Sequence, residues 1–120
     1  MPENQLIIIS KSFAVSIIEL CNIVKARGKA TIIVNQLLRS GTSIGANIHE
    51  ANYAASRADF INKFQISLKE CYETDYWLDV FHEAHMLTDE EYAAAYTQCS
   101  KIRKLLTASI KTAKANKNKE

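Results

Sequence analysis

Four stretches of apolar residues recur at three- and four-residue spacing along this chain, and almost nothing interrupts them. Its 120 residues include one proline, Pro2, and three glycines, Gly28, Gly41 and Gly45. A 3.6-residue period without breakers selects long amphipathic helices, which must bury their stripes against one another. The first stripe, over residues 4–27, holds Ile9, Phe13, Ile17, Leu20 and Val24. Gly28 is placed to end it, because glycine takes the left-handed conformation that follows a helix. The second, over residues 30–53, holds Ile33, Leu37, Gly41, Ile44, Ile48 and Ala51. Gly41 and Gly45 lie amid Ser40, Ser43 and Ala46, and side chains this small let another helix approach closely.

The last two helices announce their starts. Ser56 and Asp59 have the spacing of a capping box, as do Thr88 and Glu91, with Leu87 and Tyr92 at the positions of a hydrophobic staple. Phe60, Phe64, Ser67, Cys71, Thr74, Leu78 and Phe81 form the third stripe; Tyr92, Tyr96, Cys99, Ile102, Leu106 and Ile110 form the fourth. Short connections between them predict an all-α, antiparallel up-down-up-down four-helix bundle over residues 1–115. The final AKANKNKE is polar and charged, and residues 116–120 are expected to be a disordered basic tail.

Cys21, Cys71 and Cys99 are odd in number, far apart and outside any C-x-x-C pattern, so they read as reduced core residues. No targeting segment stands out, and no run approaches the ~18 apolar residues of a membrane span. The expectation is a cytoplasmic protein with no membrane partner. The net charge of +2 hides an asymmetry: residues 101–120 carry seven basic side chains and one acid, while the remainder is acidic. Lys101, Arg103, Lys104, Lys111 and Lys114 are therefore candidates for binding a polyanion, against the plainer reading of a solubilising helix end.

No Walker A loop, dinucleotide fingerprint, nucleophile elbow or zinc pattern is present. Asp79 and His82 make one D-x-x-H pair, with His85 a turn on, but di-iron bundles need two such motifs. The chain is expected to be no enzyme, with no cofactor and no metal. On the third helix a second stripe runs beside the core seam: Ile66, Glu70, Glu73, Trp77 and Val80. Apolar groups on a second face imply an outside partner, so Ile66, Trp77 and Val80 are the candidate self-association surface. The alternative is that Trp77 caps the edge of its own core.

Within the 41 residues from Arg39 to Asp79, Arg39-Ser40, Ser43-Ile44, Asn47-Ile48, Glu50, Ser56, Phe60-Ile61, Glu70, Glu73 and Tyr76-Trp77-Leu78 keep a fixed register. In this the chain resembles a bacterial family of four-helix bundles encoded by intervening sequences in 23S ribosomal RNA genes. Accessory proteins of diversity-generating retroelements share the fold. The resemblance implies a ring-shaped homopentamer without enzymatic activity, and as partners itself, RNA or a reverse-transcriptase-like protein. Its polar signature falls here on Arg39, Ser43, Asn47, Glu50, Glu70 and Glu73, either as a binding site or as a buried network fixing helix register. The reading is a non-enzymatic homo-oligomeric scaffold that binds RNA or a ribonucleoprotein. A structural oligomer binding another protein is the alternative, and a metal-carboxylate bundle enzyme is the third.

Overall fold

The computed structural model describes residues 2–28 and 31–119, with side chains from Asn4 to Asn116. Four helices follow one another: α1 (Pro2–Ala26), α2 (Thr31–Ala51), α3 (Arg57–Glu83) and α4 (Asp89–Lys119). Each packs on the next, and α4 closes the square on α1. Among the described residues the diagonal pairs, α1 with α3 and α2 with α4, do not approach each other. The result is the expected antiparallel bundle, a rod of 53 × 22 × 20 Å. Lys29 and Ala30, where the second helix was expected to begin, lie outside the described residues. The backbone is helical through the expected tail as far as Lys119, while Glu120 lies outside the described residues.

The helix ends follow from local chemistry. Gly28, at φ +75°, receives the chain as α1 stops, its amide donating to the Lys25 carbonyl at 2.9 Å. Ser56 caps α3: its hydroxyl accepts from the Asp59 amide at 3.1 Å, while the Asp59 carboxylate accepts from the Ala55 amide. The second box closes reciprocally, with the Thr88 amide donating to Glu91 at 2.9 Å and the Glu91 amide to the Thr88 hydroxyl at 3.1 Å. Between them α3 ends on His85, whose φ of 60° lets the Met86 amide turn back to the Phe81 carbonyl at 2.8 Å. That is a Schellman closure with histidine where glycine is usual.

Phe13, Ile17, Leu37, Ile44, Ile48, Phe64, Leu78, Phe81, Ile102 and Leu106 fill the core. Two stripes are corrected at their ends. Ile33 is 41% exposed and Val34 is buried in its place. Within the run Ile32-Ile33-Val34 every residue is apolar, so period alone does not fix the phase of the first turn. Likewise Leu6 and Ser10 are buried while Ile9 is only partly so. Small groups line the α2–α3 seam, where the Ser67 hydroxyl donates to the Ile44 carbonyl at 2.8 Å and Thr74 to the Ser40 hydroxyl at 3.0 Å. These buried hydroxyls are satisfied, so they cost little.

A further correction concerns α1. Residues Asn4–Ala26 have the length and apolarity to cross a bilayer, with a mean hydropathy of 1.8, contrary to the expectation that no segment does. The run escapes notice because neutral residues such as Ser10, Ser12, Ser16 and Asn22 break up its apolar residues, while only Lys11, Glu19 and Lys25 are charged. In the bundle only 28% of that window is buried.

Candidate functional site

Arg39 leaves α2 toward α3 one turn before Ser43, and it meets both carboxylates of the polar signature. Its Nη1 donates to Glu70 at 3.2 Å and its Nη2 donates to Glu73. The Trp77 indole N–H donates to the same Glu73 oxygen at 3.2 Å. Hydrogen bonding to Glu73, with the charge of Glu70 added, holds the Arg39 pKa above its ordinary value. Arg39 is half exposed, so this is a surface clamp between helices and not a buried register device. Exposed pairs of this kind contribute about 0–1 kcal/mol each.

The other signature residues do not join it. Ser43 donates to the Arg39 carbonyl at 2.6 Å and Asn47 to the Ser43 carbonyl at 2.9 Å, both along their own helix. Glu50 pairs with Lys63 at 3.2 Å, nearer the α2–α3 turn. Trp77 and Val80 are partly buried against the core, whereas Ile66 is 37% exposed. Tyr76, in edge contact with Trp77 at 5.0 Å, and Tyr72 stand more than half exposed. This patch of Arg39, Ile66, Tyr76 and Trp77 has the residue types that dominate protein–protein recognition.

On α4 the basic residues separate into two kinds. Lys101, Lys104, Lys111 and Lys114 are exposed and have no ion pair among the described residues. Arg103 is not one of them. It turns inward to Asp75, with Nε 3.5 Å from the carboxylate, and its guanidinium lies over the Tyr72 ring at 5.8 Å. That separation is a charge contact and not a hydrogen bond, since Arg103 Nε and Asp75 Oδ1 are both buried without a hydrogen-bond partner. Burial raises the Asp75 pKa, opposed by a hydrogen bond from Cys99 and the charge of Arg103. A turn cannot be assigned an inward or outward face from charge alone, which is why the sequence groups Arg103 with the lysines.

Three connections were not legible in the sequence. Arg27, at the end of α1, grips Glu91 through two hydrogen bonds of 2.9 and 2.7 Å and also donates to the Met86 carbonyl at 3.1 Å. Glu91 is thus both a cap and an ion-pair partner, and its pKa falls to about 2, chiefly through the Arg27 hydrogen bond. His82 bonds Asp89 at 2.7 Å and stacks on Tyr92 at 4.3 Å, and the Tyr92 hydroxyl donates to Asp79 at 2.5 Å. The Asp79 bond pushes the Tyr92 pKa up to about 12. Asp79 and His82 therefore tie α3 to α4 across their turn, and His85 shapes that turn. Among the described residues no group of three or more His, Cys, Asp or Glu is placed to hold a metal.

Cys21, Cys71 and Cys99 are free and buried. Burial raises the Cys21 thiol to about 11, while the Cys99 thiol is raised first by its hydrogen bond with Cys71. The fold and these clamps define a helical bundle whose polar residues tie its helices together. Residues 3–108 match the model of the 23S rRNA-intervening sequence protein family, and the chain belongs to that family. A protein of unknown function from the S23 ribosomal protein family of Bacteroides thetaiotaomicron, solved by crystallography, is 45% identical. The match covers 92% of this chain and 99% of that one, with a TM-score of 0.90. No curated protein matches.

Proposed function

We propose that this protein is a non-enzymatic scaffold of the cytoplasm that assembles as a homopentamer and binds structured RNA through phosphate contacts. The observation that carries the RNA reading is the row of Lys101, Lys104, Lys111 and Lys114, exposed and unpaired along one helix while Arg103 is neutralised within the fold. Unpaired ammonium groups release counterions from a nucleic acid without first breaking an internal ion pair. A five-fold ring gathers five such rows, and rows closer than the ~8 Å Debye length of physiological salt reinforce one another. Recognition of this kind reads charge and shape and has little base preference.

The test is retention of a structured RNA as a function of salt, for the wild type and for a variant with Lys101, Lys104, Lys111 and Lys114 changed to Gln. The wild type should lose affinity steeply with salt, and each lost phosphate contact should lower the slope by roughly one unit. Equal retention by the variant, or none by the wild type at low salt, overturns the reading. The second reading, a structural oligomer that binds another protein, then leads. It is favoured by Tyr76, which stands more than half exposed in edge contact with Trp77, whose indole shares Glu73 with the Arg39 clamp.

A further inference from the structure

At the boundary of α3 and α4 one aromatic ring stands out among charges. Tyr72 is 56% exposed, and its neighbour across the boundary is Arg103, whose guanidinium lies over the ring at 5.8 Å. Tyr76, one turn on, makes its edge contact with Trp77 instead. The charges around Tyr72 are sorted by sign. Each carboxylate of α3 from residue 70 to residue 79 is engaged: Glu70 and Glu73 by Arg39, Asp75 by Arg103, and Asp79 by the Tyr92 hydroxyl. Two lysines are not. Lys69, one turn before Tyr72, and Lys104, next to Arg103 on α4, are exposed and have no ion pair among the described residues. A ring with free ammonium groups on both helices beside it, and the nearby acids occupied, offers stacking and positive charge together.

We infer that Tyr72 stacks an unpaired base of an RNA strand whose flanking phosphates lie on Lys69 and Lys104. The inference rests on the RNA reading above and deepens it. The lysine row of α4 supplies charge, which a duplex and a single strand satisfy alike. Tyr72 supplies a contact that only a base outside a duplex can make, in a loop, a bulge or a free strand. Every base has a π-face, so the contact tolerates sequence. Arg103 holds its place over the ring because its guanidinium donates to the Ser100 hydroxyl at 3.2 Å and answers the charge of Asp75. An acidic peptide would meet the lysines as well, but it brings no flat ring at each residue to lay on Tyr72.

The test compares, by fluorescence anisotropy, a short oligoadenylate, an abasic ribose-phosphate strand of the same length and an RNA duplex. The wild type should bind the oligoadenylate at least about fivefold more tightly than the abasic strand. Tyr72→Leu, a good helix former at an exposed site, should remove that preference. It should leave the abasic strand, the duplex and the salt slope as they are, because no phosphate contact is lost. Tyr72→Phe keeps the ring and should bind like the wild type. If the wild type binds both strands alike and loses both with salt, the stacking inference fails while the phosphate reading stands. A preference that survives in Tyr72→Leu overturns the inference in the same way. No binding of any of the three at low salt overturns the phosphate reading, and stacking with it. A fall in assembly mass for Tyr72→Leu by light scattering would place the ring between chains and overturn the inference. So would polyglutamate binding more tightly than the oligoadenylate and weakened by Tyr72→Leu, since the ring would then serve an acidic peptide.

Discussion

Glu91 concentrates several duties in one side chain. Its carboxylate accepts from the Thr88 amide to start α4 and receives two hydrogen bonds from Arg27, which also holds the Met86 carbonyl. The end of α1, the α3–α4 turn and the first turn of α4 are thereby fastened at one point. Because the folded-state pKa, about 2, lies below the ordinary 4.5, Glu91 contributes stability that is fully present above the ordinary value. That contribution is lost as pH falls from there through about 2. Denaturant midpoints measured at intervals from pH 6 to pH 2 should therefore fall more steeply for the wild type than for Glu91→Gln. Parallel curves would mean that the pair is dissolved by solvent. Nothing in the sequence joins residue 27 to residue 91; the partnership exists only because the square bundle closes α4 against α1.

The elements themselves were readable because each helix repeats its stripe for four or more turns, so a local error in phase does not change the answer. Phe64, Ser67, Cys71, Thr74, Leu78 and Phe81 are buried as their spacing requires. Errors collect where apolar residues are consecutive, as at Ile32-Ile33-Val34, and where an apolar helix carries small neutral polar residues, as α1 does. The polar signature was legible as a set and not as a geometry: Arg39, Glu70 and Glu73 meet, while Ser43, Asn47 and Glu50 have other partners. Helix-to-helix distance was readable at the glycines. A Cβ at Gly41 would lie 2.9 Å from Ile17 Cγ2, and one at Gly45 would lie 3.2 Å from the Ser10 carbonyl oxygen. A leucine at either position must push α1 away from α2, so Gly41→Leu and Gly45→Leu should each cost about 1–3 kcal/mol in chemical denaturation. The exposed neighbour Ala46→Leu should change stability by less than about 0.5 kcal/mol. Equal stability of all three variants would show that the helices are not held at this distance.

For the whole molecule, the diagonal arrangement puts the α3 patch and the exposed face of α1 on helices that do not touch each other among the described residues. The sequence placed Trp77 in the candidate self-association surface, but Trp77 also packs on the core and is hydrogen-bonded to Glu73. Trp77→Ala therefore weakens the fold and the assembly together, by up to the ~3–5 kcal/mol of a buried aromatic. Ile66 is the cleaner probe. It is exposed, and a lysine there is a good helix former with Glu70 one turn on, so Ile66→Lys should leave chain stability within about 0.5 kcal/mol. If α3 builds the ring, light scattering should show a mass that falls for Ile66→Lys while far-ultraviolet dichroism stays unchanged. With a chain of 13.5 kDa, the size of the fall identifies the contacts. A five-membered ring held by the α3 patch should go from five chains to one with Ile66→Lys. An assembly that keeps its mass with Ile66→Lys shows that the α3 patch faces something other than a copy of itself.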